Sequence, residues 1–376
     1  MRVDKLRDRL EAMLSEAGVH LDGSQPWDVR VRDDRLFDTV FARGSLGVGE
    51  TYVDGWWDCP HLDELFYRLF AAGLQKRFGG LSLAIQSWES RLVNPQRLSR
   101  AREIAHRHYD LGNELFEHML DRRMIYSCAY WEDAADLDEA QERKLDLICR
   151  KLGLTAGMRV LDIGCGWGGA ARFAAERYDV EMVGITVSEQ QARLARERCA
   201  GLPVEIRVAD YREIDGRYDR IFSIGMFEHV GYRNYRVFMR NVRELLAPDG
   251  LFLLHCIGAS TTVTTTDPWI ARYIFPNSML PSARQITAAA EGLFIMEDWQ
   301  NFGFDYDRTL LTWHANFERA WDTLCARYDE SFRRMWTYYL LTSAGAFRAR
   351  MNQLWQIVFS PRGVPGGYRF RRSGAR

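Results

Sequence analysis

Three glycines define the first chemistry the chain could support. The run VLDIGCGWGG places Gly164, Gly166 and Gly169 as G-x-G-x-x-G, a spacing that lets the backbone approach a ligand where a strand turns into a helix. A nicotinamide enzyme would also carry an acidic residue about 20 positions on, at the end of the next strand, to hold a ribose. That position falls in GITVSEQQ, where Thr186 ends the strand and the acids Glu181 and Glu189 are displaced. Farther along, Glu228 and His229 follow the strand-end run Gly225-Met226-Phe227, and His255 stands near the end of the apolar run FLLHCIG. A carboxyl and an imidazole at strand ends suit proton transfer or the holding of an anion. The plainer readings are a buried structural acid and a satisfied core histidine.

The elements that must position these residues alternate β-branched runs with helical patterns, the mark of a doubly wound parallel sheet. Strands are expected over 158–164, 180–186, 204–210, 218–225 and 251–258, with helices near 168–178, 188–199 and 233–246. Ligands of such sheets sit beyond the carboxyl ends of the strands, where the residues above fall. Ahead of this region, residues 1–88 read as a small mixed module. Its first helix puts Leu6, Leu10, Met13, Leu14 and Ala17 on one face and stops at Gly18. In GSLGVGETYVDGWWD (44–58), Gly44, Gly47, Gly49 and Gly55 punctuate turns, and Trp56 and Trp57 serve either the core or a lipid interface. Residues 89–105, with Arg91, Arg97, Arg100 and Arg102 around Asn94-Pro95, read as a linker.

Length and composition narrow the classes. The 376 residues allow two domains. The 50 basic and 51 acidic residues leave a net charge of -1, so no global field recruits nucleic acid. Lys5, Lys76, Lys144 and Lys151 apart, positive charge is carried by arginine. The 7 cysteines are scattered without a C-x-x-C pair, which argues against a disulfide framework or a structural metal and for a reducing cytoplasm. The opening MRVDKLRDRLEAML has no apolar stretch of a signal peptide, and nowhere do eighteen apolar residues run together.

The run DIGCGWGG resembles motif I of class I S-adenosylmethionine-dependent methyltransferases, whose glycines admit the amino acid moiety of the cofactor rather than a pyrophosphate. With HYDLGN (108–113), YSCAYW (126–131), GMFEHVG (225–231), FLLHCIG (252–258) and DPWIARYIFPN (267–277), nearly the whole chain resembles the cyclopropane-fatty-acid-phospholipid synthases and their mycolic acid relatives. The resemblance implies an α/β fold, a Rossmann-like class I methyltransferase domain over 106–376 behind a small, mostly helical N-terminal domain that meets lipid. It implies methylene transfer from S-adenosylmethionine to a cis double bond of a phospholipid acyl chain. The π electrons attack a sulfonium methyl, a carbocation forms on the acyl chain, and ring closure then requires loss of a proton. The pocket must be dry and its base weakly nucleophilic.

In the family that base is thought to be bicarbonate. The matching positions are Cys128, Glu228, His255, the Ile257 backbone and Tyr306. Each has a plainer reading: a small buried thiol, a structural acid, a core imidazole, a half-buried phenol. Beside an anion Glu228 would have to be protonated, or act through His255. For the cofactor, the resemblance carries Tyr126 and Ser127 to the sulfonium or amino acid end and Asp162, Gly164 and Gly166 to the glycine turn. It carries Thr186 and Gln191 to the ribose, and Asp210 and Tyr211 to the adenine. The stretch 267–282 would cover an acyl-chain channel, or else pack in the core. The family further suggests a homodimer, cytoplasmic and peripheral to the inner face of the membrane, with the N-terminal domain and the tail GGYRFRRSGAR (366–376) as contacts. The alternatives are a sister lipid C- or O-methyltransferase, a small-amine N-methyltransferase, and a non-catalytic lipid-binding protein.

Overall fold

The structure is a computed structural model that describes residues 2–78 and 112–370, and the linker expected at 89–105 lies outside them. The chain divides into two compact units. One comprises residues 1–93, 264–277 and 306–352, the other 94–263, 278–305 and 353–376. Two later segments, 264–277 and 306–352, cluster with the N-terminal residues.

The reason lies in aromatic side chains distant in sequence. In the first unit, helices Arg2–Ser15, Arg35–Val53 and Leu62–Ala71 are joined by a two-stranded ribbon, β1 (Arg30–Val31) and β2 (Trp57–Asp58). Helix Glu330–Arg348 completes its core: a Cβ at Gly345 would meet the Asp63 carbonyl at 2.7 Å, so only glycine admits the helix Leu62–Ala71 so closely. Tyr338 packs on Tyr52, Phe66 and Trp269 with centroids 5.5, 5.3 and 4.5 Å apart. Arg334 donates to the Tyr52 and Trp57 carbonyls and to Asp58.

The glycine run 44–58 departs from its expected turns. Residues 44–53 continue the helix Arg35–Val53, with one irregular residue, Gly44, at φ 56°. Gly47 is required because a Cβ there would lie 2.6 Å from the Thr39 carbonyl, and Gly49 because the Trp269 indole occupies that space. Gly55 does turn, at φ +74°. Trp57 is buried, its indole N–H donating to the Thr51 hydroxyl, while Trp56 lies under the Arg35 guanidinium.

The second unit holds a seven-stranded sheet among the described residues, in the order β5-β4-β3-β6-β7-β9-β8. The strands are β3 (Arg159–Ile163), β4 (Glu181–Thr186), β5 (Val204–Val208), β6 (Tyr218–Ile224), β7 (Leu246–Ala259), β8 (Ile295–Asn301) and β9 (Asn352–Ser360). The first five match the expected strands and pair in parallel. β8 and β9 are additions to the sequence reading and pair antiparallel. Helices Gly169–Tyr178, Glu189–Arg198 and Tyr235–Leu245 lie where expected. Alternate strand residues feed two cores: Leu161, Ile163, Val183 and Ile185 pack with Phe238 and Phe252, whereas Val160, Met182 and Phe222 pack with Phe173 and Leu253. β3 has β4 on one side and β6 on the other, so strand order reverses beside the glycine turn, where a doubly wound sheet opens a crevice.

Candidate active site

At the end of β3 the chain turns through Gly164 at φ +92° and Gly166 at φ +54°, conformations that L side chains resist. A Cβ at Gly164 would meet Met226 Cβ at 2.8 Å, so the turn and the residues after β6 touch. Gly169 opens the next helix against the Arg123 carbonyl and Ile125, which brings the 121–128 segment to the same strand ends. Gly225 faces Ser127, 3.8 Å from where its Cβ would lie. Tyr126, Ser127, Cys128, the glycine turn and the 225–228 loop are thus brought together.

Two residues outside the motifs fix the 125–128 segment. Gln141 and Lys144, one turn apart on helix Leu137–Leu152, are both fully buried. The Gln141 amide donates to the Ser127 carbonyl at 2.8 Å and to that of Ile125 at 3.2 Å. The Lys144 ammonium donates to Ser127 Oγ at 2.8 Å. Burial drives the Lys144 pKa below its usual value, opposed by the carboxyls of Asp121 and Asp162. Sequence reasoning missed both; the one signal was polar residues at i and i+3 on the apolar face of that helix. Cys128 is fully buried and its thiol donates to the Ala129 carbonyl at 3.2 Å.

The expected cofactor residues differ in how they are satisfied. Thr186 donates to Gln191 Oε1 at 2.9 Å, and the Asp210 carboxylate is held by Arg212 at 2.6 and 2.8 Å, so its contribution to an adenine would have to share that bond. Tyr211 is buried with its hydroxyl unpartnered among the described residues. Asp162, at 1% exposure, has neither carboxyl oxygen hydrogen-bonded. Burial pushes it up to about 8 against the pull of Lys144. A cationic group arriving beside it would favour the carboxylate. The open glycine turn, this orphaned acid and the Thr186–Gln191 pair fit the zwitterionic amino acid and ribose of S-adenosylmethionine.

Glu228 and His255 are linked through β7, which carries His255 and the Ile257 N–H that Glu228 accepts from. Glu228, in a short 3-10 turn after β6, is buried, and its Oε1 accepts from the Ile257 N–H at 2.7 Å while Oε2 has no partner. Burial pushes its pKa up to about 7, offset in part by that N–H. The backbone contribution of Ile257 is therefore a bond to Glu228. His255 is fully buried in β7, with Nδ1 3.3 Å from the Gln356 amide nitrogen in β9 and Nε2 unpartnered. Burial, then the charges of Lys144 and Lys151, drive its pKa far down and keep the ring neutral. Gln356 escaped sequence reasoning; a lone amide inside the apolar run LWQIVF was its only trace.

Tyr306 falls in the other unit, near the start of helix Asp305–Arg319, buried against Phe347 and Trp313. Residue Asp305, just before it, accepts from the Trp131 N–H at 3.0 Å. In the stretch 267–282, Trp269 and Ile274 are buried and Trp269 fills the space beside Gly49, which is core packing. Tyr273 is exposed and donates to Glu50. In the tail, the Tyr368 hydroxyl donates to the Lys151 carbonyl and Phe370 lies against Lys151 and Arg150. No group of three or more His, Cys, Asp or Glu able to hold a metal is found among the described residues, nor any helix long and apolar enough to cross a membrane.

Comparison with known proteins places this geometry. Residues 96–357 match the family described as mycolic acid cyclopropane synthetase. The cyclopropane-fatty-acyl-phospholipid synthase of Escherichia coli K12 is 52% identical over 361 residues, 96% of this chain and 94% of that protein. A tuberculostearic acid methyltransferase of Mycobacterium tuberculosis is 34% identical over 358 residues, covering 89% of this chain and 83% of its own. Among solved structures, a mycolic acid cyclopropane synthase complexed with SAH and CTAB superposes with a TM-score of 0.64 at 33% identity, covering 69% of this chain and 97% of its own. The chain belongs to the mycolic acid cyclopropane synthetase family and is an S-adenosylmethionine-dependent methyltransferase of the Rossmann-like class I fold.

Proposed function

We propose that the protein converts the cis double bond of unsaturated phospholipid acyl chains into a cyclopropane, with bicarbonate as the base. The observation that carries this reading is the 52% identity, across nearly the full length of both chains, to a cyclopropane-fatty-acyl-phospholipid synthase. The unsatisfied buried pair Glu228 Oε2 and His255 Nε2 supports the anion. Bound at the glycine turn, S-adenosylmethionine would supply an electrophilic methyl group on a sulfonium. Bicarbonate would supply a base too weakly nucleophilic to trap a cationic acyl chain.

The chain's own residues have the following parts. Gly164 and Gly166 admit the cofactor's amino acid end, Asp162 meets its ammonium, and Tyr126 and Ser127 orient it, with Ser127 held by Lys144. Thr186 and Gln191 hold the ribose, and Asp210 and Tyr211 bound the adenine. Glu228, its pKa raised to about 7 by burial, offers a hydrogen-bond donor at Oε2 in its protonated form, and a neutral His255 avoids a second charge. Cys128 and the Ile257 backbone join them by resemblance to the family; Tyr306 lies in the other unit. Association with a bilayer surface from the cytoplasmic side, through the N-terminal unit or the tail, and assembly as a homodimer complete the proposal.

Purified protein incubated with S-adenosylmethionine, bicarbonate and vesicles of cis-monounsaturated phospholipid tests it, with fatty esters analysed by mass spectrometry and proton NMR. Upfield ring-methylene signals with loss of vinyl protons are expected. A methyl-branched or alkene-retaining product would instead assign the chain to the sister methyltransferases.

A further inference from the structure

Lys144 is fully buried on helix Leu137–Leu152, and its ammonium donates to a side chain, Ser127 Oγ, at 2.8 Å. The main chain of that segment has other holders. Gln141, one turn earlier, donates to the carbonyls of Ile125 and Ser127, and Asp121 accepts from the N–H groups of Arg123 and Ile125. A buried ammonium is costly, so one that adds nothing to the fixing of the backbone calls for another use. Burial lowers the Lys144 pKa, while the carboxyls of Asp121 and Asp162 and the thiol of Cys128 draw it back toward the charged form. An ammonium has donors and no acceptor, so Ser127 Oγ must receive and its own proton must point elsewhere. Among the described residues that proton meets no acceptor. Gly225 leaves the flank of Ser127 without a side chain, since a Cβ there would lie 3.8 Å from Ser127 Cβ.

We infer that Lys144 is a positioning residue for the cofactor's carboxylate: by occupying a lone pair of Ser127 Oγ it turns the serine proton, backed by positive charge, toward the carboxylate of S-adenosylmethionine. The inference deepens the proposed placement of the cofactor's amino acid end at the glycine turn and rests on it. That end is a zwitterion, and the chain offers one group for each of its charges. Asp162, buried with both oxygens unpaired, suits the ammonium. The Lys144–Ser127 pair suits the carboxylate, to which a hydrogen bond is charge-assisted. Lys144 and Asp162 also act on one another electrostatically, so neither charge of the site stands alone before the zwitterion arrives. A lysine that only propped up the segment would affect every cofactor analogue alike. One that aims the serine proton separates ligands by whether they carry the carboxylate.

Calorimetry of the full-length protein with S-adenosylhomocysteine and with its decarboxylated analogue, the same thioether bearing an aminopropyl chain, reads this directly. The wild type is expected to prefer S-adenosylhomocysteine by roughly tenfold or more, the worth of a hydrogen bond to a charged group. Lys144→Met is expected to remove most of that preference, with affinity for the analogue kept within about twofold. Ser127→Ala leaves Lys144 in place, should lose the preference as well, and decides the matter if Lys144→Met does not fold. Asp162→Asn, by contrast, is expected to weaken both ligands alike, because both keep the amine. A wild type without preference, equal weakening of both ligands in Lys144→Met, or a preference kept in Ser127→Ala would overturn the inference, and the response to Asp162→Asn would still report on the cofactor placement. Indifference of both ligands to Asp162→Asn and to Ser127→Ala would take the amino acid end away from this turn and overturn placement and inference together.

Discussion

The two sides of the strand-end crevice solve their polar bookkeeping in opposite ways. On the side expected for ribose and adenine, Thr186 is already bonded to Gln191 and Asp210 to Arg212, although the Tyr211 hydroxyl there is buried without a partner among the described residues. Around the expected anion, Glu228 Oε2 and His255 Nε2 are buried without partners, and Asp162 behind the glycine turn has both oxygens unsatisfied. Folded proteins leave few buried polar groups unpaired, because each costs about 1–3 kcal/mol. The unpaired group therefore marks where a ligand completes the structure, and the paired group marks where the protein has fixed its own geometry beforehand. Substitutions on the two sides should differ in kind: loss of turnover on the anion side, modest loss of cofactor affinity on the ribose side.

The largest expected effect is at Glu228. Glu228→Leu keeps roughly the side chain's size but removes both the acceptor for the Ile257 N–H and the donor at Oε2. A fall in kcat of roughly 10²-fold or more is expected, with cofactor affinity by calorimetry within twofold. An equal loss of cofactor binding would erase the contrast between the sides.

The same residue makes a prediction about pH. Its folded pKa, up to about 7, lies above the usual carboxyl range. The folded state holds its proton where the unfolded state has lost it, so the associated stability is full at low pH and disappears as pH rises through 7. Glu228→Gln should remove up to roughly 3 kcal/mol of that dependence between pH 4.5 and 7. Urea titrations of both proteins across this range would show it as a flatter curve for the variant; parallel curves would mean that Glu228 is ionised in the folded protein.

Gly164→Ala comes next, since it imposes a side chain at φ +92° and within 2.8 Å of Met226. A stability loss of about 1–2 kcal/mol is expected, together with weaker cofactor binding, both readable by thermal shift with and without S-adenosylhomocysteine. Unchanged binding would remove the turn from the cofactor site. The smallest effect belongs to Thr186→Val, which removes one neutral hydrogen bond worth about 1 kcal/mol, roughly a fivefold rise in the KM for S-adenosylmethionine. A collapse of kcat there would show that the prebonded side also takes part in chemistry.

Much of this arrangement is legible in the sequence, for local reasons. The runs RVLDI, EMVGIT and YDRIFSI are compact apolar strands bounded by turn glycines, and their order and helices follow directly. β8, IMEDWQN, is a polar, half-exposed edge strand with no apolar run to reveal it. The helix across Gly44–Gly49 is hidden because its glycines read as turns, and Gly49 answers to Trp269, more than two hundred residues away. For the same reason the first unit recruits 264–277 and 306–352 without any composition boundary. At the site, Glu228 and His255 stand out because they end apolar strands. Gln356, Gln141 and Lys144 do not, since a single polar residue in a hydrophobic run acquires meaning only when a distant segment supplies its partner.

On the proposed function, an anion completes the buried, unsatisfied Glu228 and His255 and serves the reaction. The most direct test is turnover in carbonate-stripped buffer, with bicarbonate then added back, using the wild type and Glu228→Leu on the same phospholipid vesicles. Stripped wild-type enzyme is expected to slow severely and recover on addition, and Glu228→Leu to recover little at any bicarbonate concentration. A wild-type rate that is indifferent to bicarbonate would contradict it.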